Sequence, residues 1–180
     1  MNAMNTHYPD APRLEPVNRH TLAIVVDNEP GVLARIAGLF SGRGYNIESL
    51  TVSETEHQKH ISRITIVTTG TNAVIEQIKS QLDRLIPVHR VVDLTVQGEA
   101  IERELCLLKV VGKGDHRVEA LRLASAFGAR TVDATLTSFV FELTGVTEEI
   151  ERFIGLMTAV GLTEVSRTGI AAMSRGAEGM

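Results

Sequence analysis

The chain has 180 residues, 43% of them hydrophobic and 22% charged, which suits one medium or two small globular domains. Aromatics make up only 4%, with no Trp, and the formal net charge is −4, which argues against a base-stacking surface and against the basic field that phosphate needs, a local basic patch aside. The single cysteine, Cys106, excludes an intrachain disulfide or a multi-cysteine zinc site, and no apolar run reaches the roughly 18 residues of a membrane span.

Residues 1–18 carry three of the five prolines and no apolar signal region, so a disordered tail and a cytoplasmic protein are expected. Residues 20–26 are rich in branched aliphatics and predict a buried strand. The turn Asp27-Asn28-Glu29-Pro30-Gly31 follows, with Pro30 acceptable near a helix start. Val32, Leu33, Ile36, Ala37 and Phe40 recur at helical spacing, and Gly42-Arg43-Gly44 ends that helix. Strands are expected over 47–55 and 61–68, joined by a polar hairpin. Val74, Ile75, Ile78, Leu82 and Leu85 stripe a second helix that Pro87 stops, and 88–96 gives a fourth strand. The order β-α-β-β-α-β is the ferredoxin-like arrangement.

The second half repeats it. A strand over 104–111 precedes a helix with Asp115 as its expected cap and Val118, Leu121 and Ala124 on one face. Strands over 131–134 and 137–143, a helix carrying Ile150, Phe153, Ile154 and Met157, and a strand over 162–168 complete it. The fold class is therefore α+β, with two ferredoxin-like βαββαβ domains over 19–96 and 100–170, a linker near Gln97-Gly98-Glu99-Ala100, and a flexible tail over 171–180. The second strand of the first domain is an edge with the uncharged stretch Leu50-Thr51-Val52, which predicts a homodimer through that edge.

The turn at Asn28 to Gly31 has the chemistry of a carboxylate site. Backbone N–H groups at a helix start carry positive partial charge, Gly31 has no Cβ to block an approaching ligand, and the Asn28 amide both donates and accepts. Val32, Leu33 and Ile47 supply an apolar enclosure, and Asn46 a second polar anchor. On the residues alone, a plain turn and helix start is the better reading. The other motifs are weaker. Gly112-Lys113-Gly114-Asp115-His116-Arg117 lacks the third glycine of a dinucleotide loop and reads as a tight turn. His57 and His60 have metal-like spacing but no further ligands nearby, while Glu102-Arg103-Glu104 and Glu148-Glu149 read as solvated charges. Cys106, inside Leu105-Cys106-Leu107-Leu108, reads as a buried structural thiol, and no catalytic set stands out.

The segment Gly38-Leu39-Phe40-Ser41-Gly42-Arg43-Gly44-Tyr45-Asn46-Ile47-Glu48-Ser49-Leu50-Thr51-Val52 closely resembles the small subunit of acetolactate (acetohydroxyacid) synthase. Asn28-Glu29-Pro30-Gly31-Val32-Leu33-Ala34-Arg35, Ser62-Arg63, Glu102-Arg103-Glu104-Leu105 and Ser166-Arg167-Thr168-Gly169 fit the same family, so the resemblance spans about 20 to 176. It implies an N-terminal ACT domain that binds an amino acid between paired copies, and no catalytic site in this chain. It implies a partner, the catalytic large subunit, which carries thiamine diphosphate, Mg²⁺ and FAD. The small subunit would activate that partner and confer feedback inhibition by valine in branched-chain amino acid biosynthesis. Asn28, Gly31, Val32 and Leu33 would then line one side of the effector site, with Asn46 and Ile47 from the partner chain, which reverses the plain-turn reading. Pro30 stands where relatives can carry Ser. Arg35 and Arg63 would be candidates for touching the catalytic subunit. The alternatives are a stand-alone amino-acid sensor with another target and an enzyme in its own right. Against the latter, Gly114-Asp115-His116 breaks the thiamine diphosphate signature.

Overall fold

The computed structural model describes residues 15–96, 100–177 and 179. Residues 1–14 of the expected N-terminal tail, and 97–99 of the expected linker, lie outside the described residues.

The first domain runs β1 (Asn18–Asp27), α1 (Val32–Gly42), β2 (Ser49–Glu56), β3 (Ile61–Gly70), α2 (Asn72–Leu82) and β4 (Val88–Asp93). These strands form an antiparallel sheet of order β2-β3-β1-β4. The period of a strand sends Leu22, Ile24 and Val26 of β1 to one face, where they meet Ile36 and Phe40 of α1 and Ile75, Ile78 and Leu82 of α2. Thr71 caps α2 by accepting from the Val74 N–H. The helix ends at Leu82, one turn before the expected Leu85, and β4 ends at Asp93, where the carboxylate takes the Thr95 N–H in a local turn.

The second domain repeats the order with β5 (Ile101–Val111), α3 (Asp115–Ala126), β6 (Arg130–Ala134), β7 (Ser138–Gly145), α4 (Thr147–Thr158) and β8 (Leu162–Arg167), in a sheet of order β6-β7-β5-β8. Cys106, Leu108 and Val110 of β5 pack with Phe139, Phe141, Ile150, Phe153 and Met157 in a second core. Both domains thus have the ferredoxin-like topology that the sequence predicts. One detail differs at α3. Gly114, at φ +58°, occupies the cap position without a side-chain bond, and Asp115 is the first helical residue, where its charge complements the helix dipole.

The largest departure is at the C-terminal end. The flexible tail expected from 171 instead contains a strand, β9 (Ala171–Met173), paired with Ile101 to Arg103 of β5. Ile170 and Ala172 are buried against Ala23, Val67, Val92 and Leu94, on the face of the first sheet that the helices leave open. The segment thus straps the two domains together. Small residues hid it, because Ala and Gly give no amphipathic pattern of their own. Gly169, at φ +83°, is where the strap crosses β2, and a Cβ there would lie 2.8 Å from Thr51 Oγ1 and 3.0 Å from Ser49 Oγ.

Candidate functional site

The turn before α1 is pinned from two sides. The Asp27 N–H donates to the Pro87 carbonyl at 2.9 Å and the Asn28 N–H to the His60 carbonyl at 2.6 Å. Gly31, at φ +90°, reverses the chain into α1, and no side chain caps the helix. Its start is therefore open to a ligand acceptor, with positive partial charge facing solvent. Asn28 and Gly31 are exposed, and Leu33 is 42% exposed. Val32 differs from its expected role. It lies on the same helical stripe as Ile36 and Phe40, and its side chain is buried in the core, so only its backbone can face the opening.

Asn46 and Ile47 stand past the other end of α1. That helix has 11 residues and spans about 16 Å, so one chain does not bring the two groups together. Asn46 is exposed, and its carbonyl accepts from the fully buried Thr68 hydroxyl at 2.6 Å. Ile47 is half-buried against the core. Thr68→Val keeps shape and deletes that bond. We expect a loss of about 1 kcal/mol, read as faster amide exchange over 44–48 with β1 and β3 unchanged. Arg35 is exposed beside Glu29 at 3.7 Å. Arg63 is half-buried, donates to the Ala172 carbonyl at 2.7 Å, and so serves the strap.

A second polar centre, unforeseen in the sequence, lies between the domains. Glu104, only 4% exposed, receives Nε and Nη2 of Arg167, while Nη1 of Arg167 bonds Glu151. Bonding to Glu104 outweighs burial and holds the Arg167 guanidinium above its ordinary pKa. Glu102 accepts from the Thr21 hydroxyl and from Arg19, which joins the domains again. Glu102 and Glu104 are thus bonded structural groups and not the solvated charges expected of them. The clue was the phase: Glu104 alternates with Cys106, Leu108 and Val110, the inward positions of β5. His20 is likewise in phase with Leu22 and Ile24, and is buried with Nδ1 2.8 Å from Asp93.

The remaining candidates stay bland. Burial raises the Cys106 thiol pKa, which makes it a poor nucleophile. Arg117 of the 112–117 turn lies over the Phe139 ring at 3.8 Å, and Gly114 supplies the turn's positive φ. His60 is exposed. Among the described residues, no group of three or more His, Cys, Asp or Glu is placed to hold a metal ion, and no helix is long and apolar enough to cross a membrane.

Comparison with known proteins accounts for both halves. Residues 22–90 match the family model for the AHAS small subunit-like ACT domain, and residues 103–176 match that for the small subunit of acetolactate synthase. The second match includes the strap. The probable acetolactate synthase small subunit of Archaeoglobus fulgidus is 47% identical over 158 residues, covering 88% of this chain and 98% of that protein. The acetolactate synthase isozyme 3 small subunit of Salmonella typhimurium is 41% identical, with 88% and 96% covered. The crystal structure of the acetolactate synthase small subunit from Thermotoga maritima superposes with a TM-score of 0.82 at 34% identity, covering 89% of this chain and 99% of that one. Similarity in sequence and fold over 88–89% of the chain, with an ACT domain at one end, places it in the acetolactate synthase small-subunit family.

Proposed function

We propose that the chain is the regulatory subunit of an acetolactate synthase, that it activates a separate catalytic subunit, and that it confers feedback inhibition by valine. The thiamine diphosphate, Mg²⁺ and FAD of the reaction belong to that catalytic subunit. The observation that carries this reading is the division of the candidate effector site. An uncapped helix start with Asn28, Gly31 and Leu33 stands at one end of α1, and Asn46 and Ile47 stand at the other.

Two copies joined along β2, an edge strand of the first sheet, would set the α1 start of one protomer against Asn46 and Ile47 of its partner. The effector carboxylate would sit on the α1 N–H groups, the ammonium between the Asn28 and Asn46 amides, and the side chain against Leu33 and Ile47. Valine would shift the equilibrium between two arrangements of the paired domains by as much as its affinity for them differs.

Calorimetric titration of the full chain with valine, leucine and isoleucine, alongside light scattering, tests this. A dimer that binds one of the three in preference is expected. A monomer, or no binding by any of them, would remove the reading.

A further inference from the structure

We infer that the cavity between the two domains is a second ligand site, distinct from the α1 start, that takes a small zwitterion bearing neighbouring ammonium and carboxylate groups. The inference goes beyond the proposed function and does not rest on it. The cavity has a volume of about 500 Å³, within the range of small-molecule sites. Both domains line it, and the strap closes one side.

Its walls carry both charges. Arg19 and Arg167 stand among Glu48, Glu104 and Glu151, so a bare anion meets two cations and three anions. Arg167 uses three of its five N–H donors on Glu104 and Glu151, which leaves two. The Arg19 and Glu48 pair is loose, with Nε and the carboxylate 3.7 Å apart, beyond hydrogen-bond distance. Arg19 Nη1 is held by Glu102, and a zwitterion can use the remaining Arg19 donors with its carboxylate and meet Glu48 with its ammonium, with no net charge brought in. Leu50, Val67 and Ile170 supply the aliphatic part of the lining, which suits a short branched side chain.

Occupancy would link the domains, because Arg19 and Glu48 belong to the first, and Thr147 and Arg167 to the second. The site therefore provides a ligand-dependent joint at a place the α1 start does not touch.

The test is a backbone amide NMR titration of the full chain with L-valine, isovalerate and isobutylamine, repeated in Gly31→Asp. We expect L-valine to move the amides of Thr168, Gly169 and Ile170 saturably in both chains, and isovalerate to leave them in place. Isobutylamine, which lacks the carboxylate, should bind more weakly than valine. Glu48→Gln should weaken the valine effect about fivefold. The inference is overturned if those amides do not respond to valine, if isovalerate moves them equally, or if Glu48→Gln leaves the affinity unchanged. It is also overturned if Gly31→Asp, with an otherwise native spectrum, abolishes the response, since the signal then comes from the α1 start. Movement at 168–170 without movement at 28–33 would sink the proposed effector site and leave this one standing.

Discussion

Gly31→Asp is expected to abolish valine inhibition of the holoenzyme while activation of the catalytic subunit is retained. The fold should accept the change. A Cβ at Gly31 meets no atom within 4 Å, and the cost is confined to the φ of +90°, about 1 kcal/mol for a residue type that enters the left-handed region more readily than most. The new carboxylate would stand at the uncapped start of α1 and compete for the N–H groups that the effector needs. It would also repel the effector's own carboxylate. Together these should weaken binding by two orders of magnitude or more, since juxtaposed like charges cost several kcal/mol. Gly31→Asn has the same shape without the charge and should lose only about tenfold. Calorimetry on the small subunit and inhibition curves on the holoenzyme separate the two readouts. Full valine sensitivity in Gly31→Asp would place the effector elsewhere.

Most of the architecture was legible because aliphatic residues carry its periods. Leu22, Ile24 and Val26 alternate, whereas Ile75, Ile78 and Leu82 recur in helical phase, and each set lies in the core where its period puts it. The turn at Asn28 to Gly31 was legible as a turn from its residue types. The length of α1 separates it from Asn46 and Ile47 within one chain. What escaped was tertiary. Ala171, Ala172 and Met173 carry too little pattern to announce a strand, and only Ala172 of the three is buried, with Ile170, on the open face of the first sheet against residues as far back as Ala23. Glu104 was misread because a charged residue is ordinarily solvated, and only its partner Arg167, distant in sequence, makes an inward carboxylate tolerable. His20 and Asp93 were missed for the same reason: each is a polar group whose partner lies on another strand.

The cost of that arrangement is measurable at Arg167. Replacing Arg167 with Leu strands the Glu104 carboxylate, which is 4% exposed and has both oxygens on the guanidinium. Breaking a buried pair on one side costs 3–5 kcal/mol, and because the Arg167 side chain is 30% exposed, the lower end, about 3 kcal/mol, is expected. Leucine at both positions removes the stranded charge, so Arg167→Leu with Glu104→Leu should lose only about 1 kcal/mol although it deletes the same bonds. Lys109→Ala provides the contrast. Its pair with Glu164 is exposed on both sides, at 45% and 64%, and its loss should stay within about 0.5 kcal/mol. Urea unfolding near neutral pH reads all three. The sign of the linkage suits that pH: a raised Arg167 pKa contributes its full stability below the ordinary guanidinium value and loses it only as pH climbs through the raised one. If Lys109→Ala costs as much as Arg167→Leu, burial is not what separates the two pairs. If the double variant is the least stable of all, the guanidinium contributes more than compensation for Glu104.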